Sequence, residues 1–432
     1  MHAKPSFALA LSLILLAVLA SPCSAARTFA RAGEPVELSM SNPNLSELLG
    51  LSTSSIRLVA WTGSEWQLVP FQVDERNSSG VYVTFEDGVL DENDEIFFYS
   101  AASYLAPPGS WWNETFDRRK LITIYDPLSG TTSYVYLYYT TEPVEAPEFP
   151  DDVVYQAWVH AIDTPSYYAI VRPDKGYVEI LKAKQGQTIL GDLVQKLGGW
   201  AVTAYGSEVE DDDVDYDTTI TLLKDGPLRV ITKTNIYYSS WLVDVQLTRL
   251  TKIYRRSMLS QVELYVSVDL DDMTVLCNHE PAAAPLEFEN QAGDYAVIDG
   301  NGEQEVPDQE NSWFCVYCGN GSYTLIMDYG DLPPYRGFAY DDYAPENHYG
   351  RLGFKAYYLD AGTYSFSSYL VVHGPQSNST FAQEDYERYA NPLSVFVQSG
   401  ESVVPEFRNL LALLPAVALA AVATSAKRLK HS

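Results

Sequence analysis

Short runs of mainly apolar residues recur along the chain from residue 55 to residue 140. They read SIRLVAW, WQLVPFQVDE, EIFFYS, KLITIYD and SYVYLYYT, and they are separated by Gly, Asn, Asp and Pro. Runs of this length that are rich in β-branched and aromatic residues predict strands rather than helices. The pattern therefore predicts an all-β domain over residues 27–139, with the form of a small β-sandwich.

A second and larger set of strand patterns follows the segment 140–152. That segment holds three prolines and five acidic residues, so it predicts a linker. Residues 153–395 then predict a large antiparallel β domain, in which 232–256 forms two long strands that turn at Ser239-Ser240. Helical periodicity is confined to two short segments, 188–199 and 381–392.

The two ends of the chain have a different character from the β domains. Residues 1–26 begin with Lys4, continue through an apolar run and end in Ser24-Ala25-Ala26, which is typical of a secretory signal peptide. After a stalk at 396–408, residues 409–426 carry no charge and predict a transmembrane helix. A basic tail, 427–432, follows directly and is expected on the cytoplasmic side.

The last thirty residues also resemble a known sorting signal. Pro405-Glu406-Phe407, the apolar segment and the basic tail stand in the order of the PEF-type signals of archaeal surface proteins. Archaeosortases are thought to process such signals, so the resemblance implies that the helix is removed and the protein attached in another way. A retained helix and a cleaved signal both place residues 27–406 outside the cell.

The charge of the predicted extracellular part is strongly negative. All 57 acidic residues but only 23 of the 28 basic ones lie between residues 27 and 407, which leaves a net charge of −34. Such a surface repels phosphate backbones, so the composition excludes nucleic acid as a partner. Other envelope proteins and glycans remain as partners.

Aromatic residues and glycosylation sequences support a surface location. The chain contains 32 Tyr and 8 Trp, and aromatic rings stack on the C–H faces of sugars as well as favouring strands. On an exported chain, Asn-x-Ser/Thr sequences predict glycosylated surface loops. The five acceptor residues are Asn44, Asn77, Asn113, Asn320 and Asn378.

Two further motifs resemble an uncharacterised family of secreted bacterial proteins that often accompany polysaccharide-degrading enzymes. The first is VPFQVDE at 69–75 with DGVLDENDEIFF at 87–98, and the second is DGPLRVITKT at 225–234 with LTKIYRRSMLSQVELYVSVD at 250–269. The resemblance implies that the large domain is a supersandwich, like that of galactose mutarotases and some polysaccharide lyases. It carries no catalytic residue across.

Cys277, Cys315 and Cys318 are the cysteines that remain after removal of the signal peptide. In an oxidising compartment they favour a disulfide between Cys277 and one of the other two, because a bond within Cys315-Val-Tyr-Cys318 would be strained. Three cysteines with His279 would alternatively provide four zinc ligands. Unpaired thiols are the third alternative.

An acidic stretch at 208–217 offers a candidate cation site. Asp213, Asp215 and Asp217 alternate, and in a loop their carboxylates could converge on Ca²⁺, which prefers oxygen ligands. A solvated acidic turn explains the same residues without a metal. No other cofactor is predicted.

The candidate catalytic residues are Arg336, His348, Tyr349 and Arg351, which lie in a turn-rich segment. A polysaccharide lyase could use Tyr or His as a base and Arg to hold a uronate carboxylate. A tyrosine-rich β loop without activity is the structural alternative. The favoured hypothesis is a membrane-tethered surface glycoprotein that binds glycans; a lyase or hydrolase, and a subunit of a surface layer or filament, remain as alternatives.

The anchor hypothesis predicts that deletion of residues 409–432 releases the protein into the medium, because no other apolar segment remains to hold it in the bilayer. Fractionation of cells that express the truncated and the full chain measures this. A truncated protein that stays in the membrane fraction would contradict the hypothesis. Mass spectrometry of the mature C terminus separates a retained helix from a cleaved signal.

Overall fold

The computed structural model of the chain describes residues 29–102, 112, 116, 118–145, 147–279, 286–298, 311–334, 336–341 and 349–398. The predicted signal peptide, transmembrane segment and basic tail lie outside these residues. Within them the chain is nearly all β, and its sheets are antiparallel. The all-β prediction is therefore confirmed. No described helix is long and apolar enough to cross a membrane.

The strands of the small N-terminal unit are β1 (Pro35–Ser39), β2 (Ile56–Trp61), β3 (Trp66–Val69), β4 (Phe71–Asp74), β5 (Glu95–Tyr99), β6 (Arg118–Asp126), β7 (Thr131–Tyr139) and β27 (Ser394–Val397). Over the residues described they form a three-stranded sheet of order β1-β5-β4 and a five-stranded sheet of order β27-β6-β7-β2-β3. Short 3₁₀ helices occupy Pro43–Leu48 and Thr53–Ser55. Ile96 and Phe98 of one sheet pack with Ile122 and Val135 of the other in one buried core.

Strand β27 differs from the predicted domain limits. Residues 394–397 were expected at the end of the large domain and in the stalk, but they pair with β6, with Val395 opposite Ile124. Val397 is buried in the core of the small unit. The β-branched and aromatic residues of SVFV favour a strand, but nothing local in the sequence indicates a partner some 270 residues earlier.

The large unit is a sandwich of two sheets, which the described residues build as a ten-stranded and a nine-stranded sheet. The ten-stranded sheet contains β8 (Val154–Gln156), β9 (Ala161–Asp163), β10 (Tyr167–Val171), β11 (Val178–Gln185), β12 (Thr188–Asp192), β13 (Lys196–Ala204), β14 (Ser207–Glu210), β19 (Leu270–His279), β24 (Arg336–Asp341) and β25 (Tyr349–Leu359). The nine-stranded sheet contains β15 (Asp217–Asp225), β16 (Val230–Ser239), β17 (Asp244–Ile253), β18 (Ser257–Val266), β20 (Leu286–Asn290), β21 (Tyr295–Ile298), β22 (Trp313–Cys318), β23 (Gly321–Asp328) and β26 (Gly362–His373). Inward-facing residues of both sheets form one large core.

Local patterns predict most of these elements, with one clear error. Strands β16 and β17 pair along their whole length, as the two-strand prediction for 232–256 required. The second predicted helix is present as α1 (Thr380–Ala390), which packs Phe381 and Ala382 onto Trp313 and Ile326 of the nine-stranded sheet.

The helix predicted at 188–199 is wrong, because the segment forms β12 and the start of β13. Its apolar residues recur at helical spacing by coincidence. Gly198 has a positive φ of 79°, which interrupts a helix but suits the register shift where β13 pairs with β19.

The two units are joined through the motifs that carry the family resemblance. The side-chain oxygen of Gln72, in QVD, accepts hydrogen bonds from the backbone N–H groups of Leu228 and Arg229, in GPLR, at 2.9 and 3.0 Å. A Cβ atom at Gly226 would lie 2.5 Å from that same oxygen, so a larger residue there would displace the amide of Gln72 from this position.

Arg229 completes this connection with its charge. Its side chain is fully buried, and Nε donates to Asp74 at 2.6 Å while Nη1 donates to Glu37 at 2.6 Å. Nη2 also contacts Glu95, and the guanidinium lies 4.4 Å from the centroid of the Phe97 ring. We name these residues, Arg229 with Glu37, Asp74 and Glu95, the arginine cluster.

Replacing Arg229 by Met should destabilise the protein by about 3–5 kcal/mol, because Asp74 and Glu95 would remain buried without a counter-charge. Urea unfolding of the purified protein measures the change. Arg256→Met is the matched control, since Arg256 is exposed in the turn between β17 and β18 and should change stability by less than about 0.5 kcal/mol. Equal effects of the two substitutions would contradict the assigned role.

Candidate functional site

Three of the four residues proposed for a lyase lie on β24 and β25, at one end of the ten-stranded sheet. Arg351, on β25, forms ion pairs with Glu208 and, at 3.4 Å, with Glu210. Arg336 belongs to β24 and Tyr349 begins β25, while His348 lies outside the described residues. The grouping of all four in one pocket therefore stays a prediction. The charge of Arg351 is already balanced by two carboxylates of β14.

The three aspartates proposed for Ca²⁺ do not form the acidic group that the fold brings together. Asp213, Asp215 and Asp217 are all exposed. The carboxylates that converge belong to the preceding residues, Glu210, Asp211 and Asp212. In the described part of the chain these three form the one group of potential metal ligands whose oxygens all lie within 4.8 Å of one another.

Lys196 lies at the centre of this group. Its ammonium contacts Glu210 at 2.8 Å and Asp211 at 2.7 Å, and it also pairs with Asp212. Burial alone would lower the pKa of Lys196, but the carboxylates outweigh that effect and raise it. The lysine thus supplies the positive charge that a bound cation would bring, and Ca²⁺ binding there stays a hypothesis that requires its displacement.

The predicted disulfide is wrong, because the three cysteines are free thiols. Cys277 faces the core between the two sheets. Cys315 lies on the opposite face of β22, in the cluster that packs under α1. Cys318 is three residues further along the same strand and faces the inner core instead. Strand alternation therefore separates the sulfur atoms that the sequence places close together.

His279 is not available as a zinc ligand either. Its Nδ1 lies 2.7 Å from the carbonyl oxygen of Gly350, so Nδ1 carries the hydrogen. Its Nε2 then accepts from the hydroxyl of Tyr323 at 2.6 Å. Burial lowers the pKa of this fully buried ring to about 4, so His279 is neutral at physiological pH.

The acceptor residues of the glycosylation sequences differ in exposure. Asn77 and Asn378 are exposed, whereas Asn44 and Asn320 are half-buried. The side-chain amide of Asn44 also donates to the carbonyl of Val397 at 2.8 Å, which ties it to β27. Asn113 lies outside the described residues. Asn77 and Asn378 are therefore the sites that agree best with the prediction of surface loops.

An open groove of about 410 Å³ crosses the outer face of the nine-stranded sheet. We call it the polar groove. Adjacent strands β17, β18, β26 and β23 form its floor, and alternate side chains point outward into it. One row of the floor contains Thr248, Glu263 and Ser365, and the next contains Leu250, Gln261, Ser367 and Asp328.

One end of the polar groove depends on a glycine. Gly330 follows β23 with a positive φ of 51°, and a Cβ atom there would lie 2.1 Å from the carbonyl oxygen of Ser365. Asp331 N donates to that same oxygen at 2.8 Å. The loop after β23 therefore folds tightly against β26 and forms a wall of the groove.

Tyrosines flank the polar groove on two sides. Tyr389 of α1 reaches the hydroxyl of Ser367 at 3.4 Å. Beyond the row of Thr248, Tyr237 and Tyr265 lie on either side of Gln246 and are 46% and 39% exposed. Among the described residues that line the groove none is basic. The groove thus offers hydroxyl, amide and carboxylate groups beside exposed aromatic rings.

Comparisons with known proteins give only distant likenesses. No protein-family model matches the sequence, and no curated protein gives a significant match. Two solved structures from Enterococcus faecalis, an α-mannosidase and a protein of glycosyl hydrolase family 38, match 86% and 88% of this chain at 10% identity, with TM-scores of 0.47 and 0.49. A galactose mutarotase related enzyme from Lactobacillus acidophilus matches 50% of it at 6% identity, with a TM-score of 0.32.

The match covers 45% and 47% of the lengths of the two Enterococcus proteins, which is less than half of each. The match to the Lactobacillus enzyme covers 98% of that enzyme but only 50% of this chain. Likenesses with TM-scores below 0.5 establish neither a shared activity nor a shared substrate. The chemistry of the polar groove must therefore be argued from its own residues.

The sequence does carry a signal for the polar groove. In β18 the outward positions are Gln261, Glu263 and Tyr265, which alternate with buried Val262 and Leu264. One polar face beside one apolar face marks a half-exposed strand. The alternation does not show which strands lie beside β18. One of them, β26, comes about one hundred residues later in the chain.

The lowered pKa of His279 predicts a loss of stability in mild acid. The unfolded state binds a proton near pH 6.5, whereas the folded state resists protonation until about pH 4. Stability is therefore complete above pH 6.5 and falls by about 3 kcal/mol as the pH approaches 4. Urea unfolding at several pH values measures this slope.

His279→Gln should flatten that slope between pH 6.5 and 5. His160→Gln is the control, because His160 lies in the turn between β8 and β9, outside the core. An unchanged slope in His279→Gln would contradict the assignment.

Proposed function

We propose that the protein is a glycoprotein of the cell surface, tethered through its C-terminal segment, which binds a neutral glycan in the polar groove. The sequence features of its two ends support export and tethering. The resemblance to PEF-type signals supports an archaeal source and leaves open whether the apolar segment is retained. A glycan attached to another envelope component would serve as the partner.

The polar groove is the observation that carries the glycan proposal. Its floor presents the hydroxyl groups of Thr248, Ser365 and Ser367 with the amide of Gln261. Such groups both donate and accept hydrogen bonds, as sugar hydroxyls do. Its volume of about 410 Å³ falls within the range of small-molecule sites.

The charges of the polar groove favour a neutral sugar over an acidic one. Glu263 and Asp328 are the ionisable residues among those that line it, and both are acidic. Carboxylates accept hydrogen bonds from sugar hydroxyls but repel a uronate or a sulfate. Tyr237 and Tyr265 add rings on which the C–H face of a sugar can stack. This selectivity is the opposite of that expected for the arginine-based lyase.

A hydrolase receives less support from the same groove. Glu263 and Asp328 lie on either side of β26 and two residues apart along it, which separates their Cα atoms by about 12 Å. Paired carboxylates that cleave glycosidic bonds stand about 5–9.5 Å apart. Both side chains would have to lean toward each other to reach that range, so we propose binding without cleavage.

A bulky side chain on the groove floor should abolish binding. Ser365→Tyr fills the polar groove, and it should weaken the affinity for a bound neutral polysaccharide at least about tenfold, or about 1.4 kcal/mol. A panel of neutral and uronate-containing polysaccharides, followed by calorimetry with those that bind, measures this. Thr219→Tyr is the matched control, because Thr219 is exposed on β15 of the same sheet but outside the groove.

Binding that is lost in Ser365→Tyr and kept in Thr219→Tyr supports the proposal. Failure of the wild-type protein to bind any neutral polysaccharide would contradict the proposal. A preference for uronates, or the release of reducing ends from a bound polysaccharide, would instead favour the lyase or hydrolase alternative.

A further inference from the structure

The five-stranded sheet of the small unit carries an aromatic surface on its outer side. Along each strand, alternate residues point into the core of the unit and away from it. Two rows of outward residues cross β27, β6 and β7, namely Phe396, Thr123 and Tyr134, followed by Ser394, Tyr125 and Thr132. Trp61, two residues beyond the paired Val59 and Tyr136, continues the first row on β2. We name these two rows, together with Trp61, the aromatic face.

The rest of the outer side of this sheet is covered, whereas the aromatic face is open. Leu121 and Tyr136 are buried together under Phe116 in a separate apolar cluster. On the aromatic face, by contrast, the side chain of Phe396 is 58% exposed and that of Tyr125 is 38% exposed.

The turn that follows β6 extends this open surface. Leu128 lies in that turn, three residues after Tyr125, and it is 44% exposed. Exposed apolar residues that are scattered singly are normal, but neighbouring ones on a single face mark a contact with a protein or a membrane. The aromatic face is therefore a candidate contact surface.

The aromatic face is also uncharged, although the chain contains 57 acidic residues. Asp126 follows Tyr125 directly, but its carboxylate is buried and pairs with Arg31 at 3.5 Å on the inner side of the sheet. Glu145 contacts Arg57 through its backbone, at the covered end of the outer side. Since acidic groups repel lipid phosphates, an uncharged face is the kind of surface that this protein can bring close to a bilayer.

The described chain ends directly beside the aromatic face. The backbone N–H of Gln398 donates to the carbonyl oxygen of Leu121 at 3.0 Å, which continues the pairing of β27 with β6. The apolar segment 409–426 begins eleven residues later. A stretch of that length spans at most about 40 Å, even when fully extended. A tether through this segment would therefore hold the small unit, and this sheet in particular, close to the bilayer.

We propose that the aromatic face lies against the outer surface of the membrane, with Phe396, Tyr125 and Leu128 in contact with the interfacial region of the lipids. Tyr and Trp favour that region, because their rings are apolar and each carries one polar group. The contact orients the protein on the bilayer and does not replace the anchor, since few side chains take part. This inference rests on the tethering part of the proposed function and is independent of glycan binding.

The size of the aromatic face favours lipid over a second copy of the chain. A stable dimer buries about 800 Å² on each partner. An aromatic side chain offers about 150–250 Å² in all, and Phe396 and Tyr125 expose only part of theirs. Together with Leu128 they supply well under the area that a dimer needs, whereas contact with lipid requires no minimum area.

Photocrosslinking of the full-length protein in vesicles of phosphatidylcholine and phosphatidylglycerol tests this contact. A photoreactive p-benzoylphenylalanine in place of Phe396 should form an adduct with lipid, which mass spectrometry detects. The same group in place of Tyr295 is the matched control, because Tyr295 is 54% exposed but lies on β21 of the large unit. It should give at least about tenfold less lipid adduct.

The outcomes separate this inference from the tether itself. Protein that fails to float with the vesicles would contradict the tether and, with it, the membrane contact. Protein that floats without a lipid adduct at position 396, or with equal adducts at 396 and 295, would overturn the membrane contact alone. An adduct between two protein chains at 396 would overturn it in favour of a second copy.

Acidic substitutions on the aromatic face provide a second test. With the photoreactive group in place of Leu128, the double substitution Tyr125→Glu and Phe396→Glu should lower the yield of lipid adduct at least about tenfold, because the new carboxylates repel lipid phosphates. Tyr295→Glu should leave the yield unchanged. Flotation should persist in both variants, and an unchanged urea midpoint verifies that they fold. An undiminished yield in the double variant would contradict the proposal.

Discussion

The fully buried guanidinium of Arg229 fixes how the two units of this protein stand relative to each other. Three carboxylates of the small unit surround it, and two of them, Asp74 and Glu95, are buried and would be unfavourable in the interior without it. Glu37 extends the arginine cluster to Lys252 of β17, at 2.6 Å, and to Tyr254, which follows that strand, at 3.0 Å. Since β17 also supplies Thr248 to the polar groove, the cluster orients a strand on which that groove depends.

The same cluster gives a physical reason for two motifs that look unrelated in the sequence. Gln72 and Asp74 act on the backbone and side chain of Arg229, and Gly226 leaves room for Gln72. The resemblance to a secreted family thus rests in part on residues that hold the two units together.

Sequence patterns predict the strands well because alternation is a local property. They predict pairing well only where partners are adjacent in sequence, as for β16 and β17. They fail for β27, which pairs with a strand about 270 residues earlier. The candidate site follows the same rule. Arg351 and the cysteines stand out in the sequence because basic residues and cysteines are scarce. In the fold, Arg351 forms ion pairs and the cysteine thiols are free and packed against apolar residues. The polar groove is built instead from common residues on four strands that are distant in the chain.

Strand β27 also determines how the molecule would respond to tension. Because the chain leaves the small unit after β7 and returns to it in β27, the large sandwich is an insertion within the small one. A pull between residues 29 and 398 is therefore applied to the small unit at both points. The four-residue pairing of β27 with antiparallel β6 would bear this load first, in shear. The large sandwich lies outside the path of the force, so its sheets would stay folded until β27 had detached.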